Sequence, residues 1–167
     1  MISAGGSSGR VWIPVGTLLI ALVLLVLPLQ EVMRGFAPDW VSLALIYWAL
    51  AVPGRMGIPV AWGAGLIVDI VTMGVPGAHA FSKALLVAIA GALALRIRVF
   101  PVWQQSVVVI VLLGIELISL IAIGYIAGES IAGIHRWTAV VVGGLLWPLV
   151  YQGLRRVRHL EIGRAHV

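Results

Sequence analysis

The chain has 167 residues, of which 62% are hydrophobic and only 10% are charged; the net charge is +5 and there is no cysteine. A soluble domain carries about 25% charged residues, so this composition excludes a globular domain covered by water. The apolar runs are long and continuous rather than alternating, which predicts membrane helices instead of a β-barrel. The excess of arginine predicts a cytoplasmic membrane face rather than a nucleic-acid partner.

Six apolar stretches follow one another and predict a single six-helix transmembrane domain within residues 1–160. The first predicted span covers residues 11–29. A cleaved signal peptide is the competing interpretation of this stretch, but no small-residue cleavage site follows Leu29 and further spans come after it. The other spans are predicted at residues 40–52, 58–73, 78–95, 101–125 and 137–154.

The last seven residues, EIGRAHV at 161–167, resemble the translation of a common sequencing adapter. We expect them to be foreign to the native chain, so the predicted domain ends at Leu160. The native C-terminal end beyond that residue is not defined by the sequence.

The distribution of cations predicts the orientation, because cytoplasmic loops are enriched in Lys and Arg. With both termini cytoplasmic, the inner segments hold seven cations and the outer segments three. Five spans would instead place the C-terminal Arg cluster outside. The inner cations are Arg10, Arg55, Arg96, Arg98, Arg155, Arg156 and Arg158, and the outer ones are Arg34, Lys83 and Arg136.

Three ionisable residues, Asp69, Lys83 and Glu116, fall at membrane depth, where charges are costly and are candidates for function. All three are predicted in the outer half of their spans. A short turn joins the spans of Asp69 and Lys83, so these two residues are predicted to form an ion pair that Glu116 can join. A structural pair, a proton or ion relay and a polar patch for a partner are the alternatives.

Catalysis and metal binding find little support in the sequence. Ser82 stands beside Lys83, but no nucleophile and base have a useful spacing, so the chain is predicted not to be an enzyme. His79 and His135 fall in predicted outer loops without the spacing of metal ligands. They are predicted to be surface residues, and no metal or cofactor is expected.

Small residues in the spans predict close helix contacts. Ala84, Ala88 and Ala92 recur at every fourth position of the fourth span, which predicts packing against a helix of the same chain or of a second copy. Four glycines are also predicted to allow close contact between helices: Gly63, Gly65, Gly143 and Gly144.

Five groups of short strings carry a family resemblance. They are PDWV at 38–41, IYWALAVP at 46–53 with Arg55, LIVD at 66–69, LRIRVF at 95–100 with WQQ at 103–105, and GLLWP at 144–148 with LRRVR at 154–158. In order and spacing they resemble the proteobacterial form of MreD, the rod shape-determining membrane protein family, over about residues 11–160. The chain departs from that pattern at Ala37, where relatives often have Arg, and at Glu116, where they often have Asp.

The resemblance implies a function that spacing alone does not. It implies a non-enzymatic scaffold or regulator of the cell-elongation complex in the bacterial inner membrane, acting with MreC. Through that complex it implies indirect partners: MreB filaments, RodA and its penicillin-binding transpeptidase. It also implies a helical fold similar to the substrate-binding components of vitamin transporters. A small-molecule-binding subunit of a transporter is therefore the alternative, although fold analogy is a weak argument for function.

Residues of the family strings also have local physical roles. Asp39 follows Pro38 and precedes an apolar helix, so it is predicted to be an N-cap. Trp40 is predicted to lie at the outer interface, either as an anchor or as a contact for a partner. Trp48 is a further candidate for packing or for a partner contact.

The later strings suggest similar roles at other span ends. Trp103, Gln104 and Gln105 open the fifth span at the cytoplasmic interface, where the two amides can hydrogen-bond across helices or to a partner. Pro148 lacks a backbone donor and predicts a kink in the last span, beside the large packing surface of Trp147.

Overall fold

The computed structural model describes residues 12–27, 36–52, 57–129 and 134–164. These residues form helices and no strand, so the prediction of an all-α membrane protein is confirmed. The helices are α1 (Trp12–Val26), α2 (Trp40–Ala51), α3 (Ile58–Thr72), α4 (Ala78–Ile97), α5 (Val102–Ile126) and α6 (Ile134–Arg164).

Three of these helices are long and apolar enough to cross a membrane: α4, α5 and the part of α6 from His135 to His159. The other three are apolar but shorter, with 15, 12 and 15 residues in α1, α2 and α3. At 1.5 Å per residue they extend roughly 22, 18 and 22 Å, less than the ~30 Å hydrocarbon core. The count of six spans therefore stays a prediction.

Helix α2 forms the centre of the bundle, where it packs against α1, α4 and α6. Every residue from 41 to 50 is buried, on all sides of the helix. A helix that is apolar all round is typical of such a buried position. Its C-terminal end is held by Arg98, the C-cap residue of α4, because the Arg98 guanidinium donates a hydrogen bond to the Leu50 carbonyl oxygen. Arg98 is counted above as a cytoplasmic cation and as part of a family string, and its contact with α2 is not predicted from the sequence.

Glycine allows close helix contacts at three of the four predicted positions. A Cβ atom at Gly65 would lie 2.5 Å from the Ala80 backbone nitrogen, so α3 and α4 meet there with backbone against backbone. Gly143 and Gly144 receive side chains of α5, with a Cβ at Gly143 only 2.8 Å from Leu113. Gly63 has open space around it.

The alanine stripe of α4 is not buried against another helix of the same chain, so the prediction of packing within the chain is wrong. Ala92 is exposed, and Ala84 and Ala88 are only half-buried. The buried face of α4 carries the residues Ala80, Lys83, Val87, Ala90, Ala94 and Ile97. That face is offset from the stripe by one residue, a rotation of about 100°. Packing of the stripe against a second copy stays a prediction.

The predicted orientation can be tested with fusions to alkaline phosphatase, which is active only after export because it needs disulfides. A fusion after Leu160 is expected to be inactive, whereas a fusion after Gly128, between α5 and α6, is expected to be active. An active fusion at Leu160 would exclude the six-span orientation. Of the cations behind this prediction, Arg10, Arg34 and Arg55 lie outside the described residues.

Candidate functional site

Four polar side chains meet inside the bundle and are referred to below as the charge cluster: Asp39, Ser42, Lys83 and Glu116. The Lys83 ammonium donates hydrogen bonds to Asp39 Oδ2 at 2.6 Å, to Ser42 Oγ at 2.6 Å and to Glu116 Oε1 at 2.9 Å. The Ser42 hydroxyl in turn donates to Glu116 Oε1 at 2.8 Å. Lys83 is fully buried and Glu116 is 4% exposed. The cluster therefore joins α2, α4 and α5 through charged hydrogen bonds.

The start of α2 supplies two members of the cluster. Asp39 is the N-cap of this helix, as predicted, and its Oδ1 accepts the Ser42 N–H at 3.0 Å. Its other oxygen remains available to Lys83. Burial raises the pKa of the Asp39 carboxyl, but the Lys83 ammonium and the Ser42 N–H lower the pKa by more, so the net direction is below the ordinary value of 3.8.

The charge cluster contains more acidic than basic groups, because two carboxylates contact one ammonium. Taking ions out of water costs several kcal/mol each, and a buried ion pair offsets this cost only with good geometry and further hydrogen bonds. Here Lys83 uses all three of its donors within the cluster. Removal of Lys83 would therefore leave two carboxylates without their counter-ion.

Asp69 is not part of this cluster, so the predicted ion pair between Asp69 and Lys83 is wrong. Asp69 Oδ1 accepts the His79 N–H and contacts His79 Nδ1, both at 2.9 Å. Its Oδ2 accepts the N–H groups of Gly77 at 2.9 Å and Ala80 at 3.3 Å. The first N–H groups of a helix have no partner within the helix, and Asp69 satisfies them at the start of α4. Lys83 lies one turn further on and faces α2 and α5 instead.

The two histidines behave differently from each other. The His79 ring is 17% exposed and lies against Asp69, so the prediction of a surface residue is wrong for His79. His135 is exposed, in agreement with the prediction. Within the described ranges, no group of three His, Cys, Asp or Glu side chains is arranged to hold a metal ion.

Two tryptophans are packing residues inside the bundle. Trp48 is buried, and its indole N–H donates to Thr17 Oγ1 at 2.8 Å, which joins α2 to α1. Trp147 is fully buried, and its indole N–H donates to Gln105 Oε1 at 3.3 Å. Neither indole is exposed on the outside of the described chain, so neither can serve as a direct partner contact.

The other residues of the family strings differ from one another in burial and in hydrogen bonding. The Gln105 amide donates to the carbonyl oxygens of Ile97 at 3.3 Å and Phe100 at 3.1 Å, which is the intrachain role predicted for it. Trp103 is 66% exposed, and its neighbour Gln104 is half-buried.

Trp40 and Pro148 are two further residues of the family strings. Trp40 is partly buried against the core at the start of α2, directly after Asp39 of the charge cluster. Helix α6 continues through Pro148, and the predicted kink there stays a prediction.

Sequence reasoning missed two features of the cluster. Ser42 is absent from the predicted sites, and Asp39 is predicted as a helix cap or as a packing or partner contact, but not as a member of a charged group. The sequence does contain a signal that Asp39 and Ser42 act together, because they are three residues apart and so lie on one face of the helix start. Asp39 also precedes a span that is predicted to start on the outer side, and Lys83 and Glu116 are predicted in the outer halves of their own spans.

Comparison with known proteins identifies the family. The family model described as rod shape-determining protein MreD matches residues 7–157. The chain belongs to the MreD family. A curated relative, the rod shape-determining protein MreD of Haemophilus influenzae, is 28% identical over 142 residues, which cover 83% of this chain and 86% of the relative. No solved structure matches the chain. Membership gives the chain a role in determining cell shape at the membrane.

Proposed function

We propose that the chain is a non-enzymatic scaffold of the cell-elongation complex in the bacterial inner membrane and that it acts by binding MreC. The observation that carries this proposal is the family match over residues 7–157. Contacts to MreB, RodA and its penicillin-binding transpeptidase would then be indirect, through the complex.

The geometry of the charge cluster supports a structural rather than a catalytic role. Ser42 Oγ lies 2.6 Å from Lys83 Nζ, which is the spacing of a nucleophile and its base. A lysine that acts as a base must be neutral, however, and Lys83 is held between two carboxylates. An ammonium in that position has no lone pair with which to accept the Ser42 proton. The polar groups therefore hold helices together instead of forming a reactive pair.

Trp40 is the best candidate for a contact with MreC. It lies at the start of α2 at the predicted outer end of the bundle, close to where a periplasmic part of MreC would leave the membrane. It is only partly buried, whereas Trp48 and Trp147 are enclosed within the chain. Tryptophan is also enriched among the few residues that dominate binding energy at interfaces.

The change Trp40→Ala tests the proposal. We expect the amount of MreC that co-purifies to fall by about tenfold or more, as for a dominant interface residue, and the cells to become round. The variant should still accumulate in the membrane. The measurement is recovery of MreC after purification in mild detergent, normalised to the membrane level of the variant.

Trp103→Ala is the matched control, because Trp103 is an exposed tryptophan at the opposite end of the bundle. It should leave the recovery of MreC unchanged. Recovery of MreC at the wild-type level with Trp40→Ala would mean that Trp40 only anchors the helix end, and that the interface lies elsewhere. A transporter component that co-purifies in place of MreC would favour the alternative function.

A further inference from the structure

A cavity of about 640 Å³ lies beside the charge cluster, at the end of the bundle where α2 and α6 begin. Cavities of roughly 300–1,000 Å³ are typical of small-molecule sites. The wall is mostly apolar and comes from Leu25, Ala37, Pro38, Leu113, Leu117, Leu120, Ala139 and Val140.

The polar part of the wall contains both carboxylates of the charge cluster. Glu116 and Asp39 line the cavity, whereas Lys83 does not. The two groups that donate to the Glu116 carboxylate, the Lys83 ammonium and the Ser42 hydroxyl, both bind its Oε1. No side-chain oxygen of the described residues is both enclosed and without a partner. Glu116 Oε2 takes part in none of these bonds and therefore keeps some exposure, and the cavity is the space that Glu116 lines. A nearly buried carboxylate thus directs an acceptor into an otherwise apolar space.

The charges favour a ligand with a primary ammonium group. Lys83 donates all its hydrogen bonds to Asp39, Ser42 and Glu116, and two carboxylates still face one cation. A second ammonium at Glu116 Oε2 would balance the charge and form a charge-assisted hydrogen bond. His79 also lines the cavity. His135 and Arg136, both exposed, line it at the start of α6 and offer cationic groups for an anion.

We propose that this cavity binds the headgroup of a membrane lipid in which a primary ammonium group stands next to a phosphate. The ammonium binds at Glu116 Oε2 and Asp39, the phosphate lies on the side of Arg136, and an acyl chain packs along the leucines of α5. The site is independent of MreC and goes beyond the scaffold role, because it assigns a ligand to the charge cluster.

Native mass spectrometry of the full-length protein in detergent tests the proposal with three lipids that share the same acyl chains. Phosphatidylethanolamine has the primary ammonium, phosphatidylcholine has a trimethylated one without N–H donors, and phosphatidylglycerol has none. We expect phosphatidylethanolamine to bind about tenfold more tightly than either of the others, as one charge-assisted hydrogen bond provides. Equal binding of the three lipids, or preference for phosphatidylglycerol, would overturn the proposal.

A cavity-filling variant avoids any change to the charge cluster. Ala139→Trp places a large side chain in the cavity and is expected to abolish the preference for phosphatidylethanolamine. Ala92→Trp is the control, because Ala92 is exposed on α4, and it should bind all three lipids as the wild type does. If Ala139→Trp keeps the preference, the lipid binds outside this cavity and the proposal fails.

A soluble amine separates the lipid headgroup from a free amine as the ligand. Dodecylamine should displace phosphatidylethanolamine from the wild-type protein, and dodecanol should not, because only the amine can donate to Glu116. Failure of dodecylamine to compete would overturn the assignment of the ammonium to this site. Tighter binding of dodecylamine than of phosphatidylethanolamine would overturn the assignment of the phosphate to the side of Arg136.

Discussion

Lys83→Met should sharply lower the amount of folded protein in the membrane. The substitution shortens the side chain by only one heavy atom but leaves Asp39 and Glu116 without the ammonium that both contact. Removal of one partner from a buried ion pair typically costs about 3–5 kcal/mol, which is a large share of the stability of a small domain. The measurement is the membrane level of the variant together with its thermal unfolding in detergent.

Two further variants show whether the loss comes from the cluster. Arg96→Met removes an exposed cation from the same helix and should have little effect. Adding Glu116→Gln to Lys83→Met removes one of the two carboxylates and should restore part of the stability, whereas adding Asp69→Asn should restore none. Strictly additive effects of Lys83→Met and Glu116→Gln would contradict the observed pair.

The second large effect is expected from Gly65→Ala, a change of one methyl group. A Cβ atom at Gly65 would come within 2.5 Å of the His79 carbonyl oxygen and of the Ala80 backbone nitrogen, and backbone atoms cannot rotate away. Overpacking of this kind costs about 1–3 kcal/mol, and rigid surroundings place Gly65→Ala at the upper end of that range. The change should lower the melting temperature and separate the Asp69 carboxylate from the N–H groups of α4.

Gly63→Ala is the matched control on the same helix. Gly63 has open space around it, so the added methyl group meets nothing and the better helix propensity of Ala should stabilise α3 by up to about 1 kcal/mol. Ala80→Gly should not rescue Gly65→Ala, because the obstruction is the backbone of residue 80 and not its side chain. A rescue by Ala80→Gly, or equal melting temperatures for the two alanine variants, would contradict the close contact between α3 and α4.

Local signals in the chain predict much of the architecture. The start of α2 follows from Pro38 and Asp39, because proline stops a preceding helix and aspartate caps the next one. Long apolar runs with few charges require helices in lipid, whatever their neighbours are. Three of the glycines predicted to allow close contact do so, because a missing Cβ is itself a local property. The stripe of alanines on α4 gave a wrong prediction of packing within the chain, because the spacing of small residues does not reveal which face of a helix turns inward.

The sequence by itself determined the class of the protein, the order of its helices and its family, since hydropathy, stop signals and motif order are all read along the chain. Only the tertiary structure decided which charges meet. Asp69 and Lys83 stand on either side of one short turn, yet Asp69 binds the free N–H groups at the start of α4, and Lys83 reaches residues 44 positions before it and 33 positions after it. Such partners depend on the rotation of each helix about its axis and on which helices are neighbours. Packing of α2, α4 and α5 sets both, and no local pattern in the sequence encodes them.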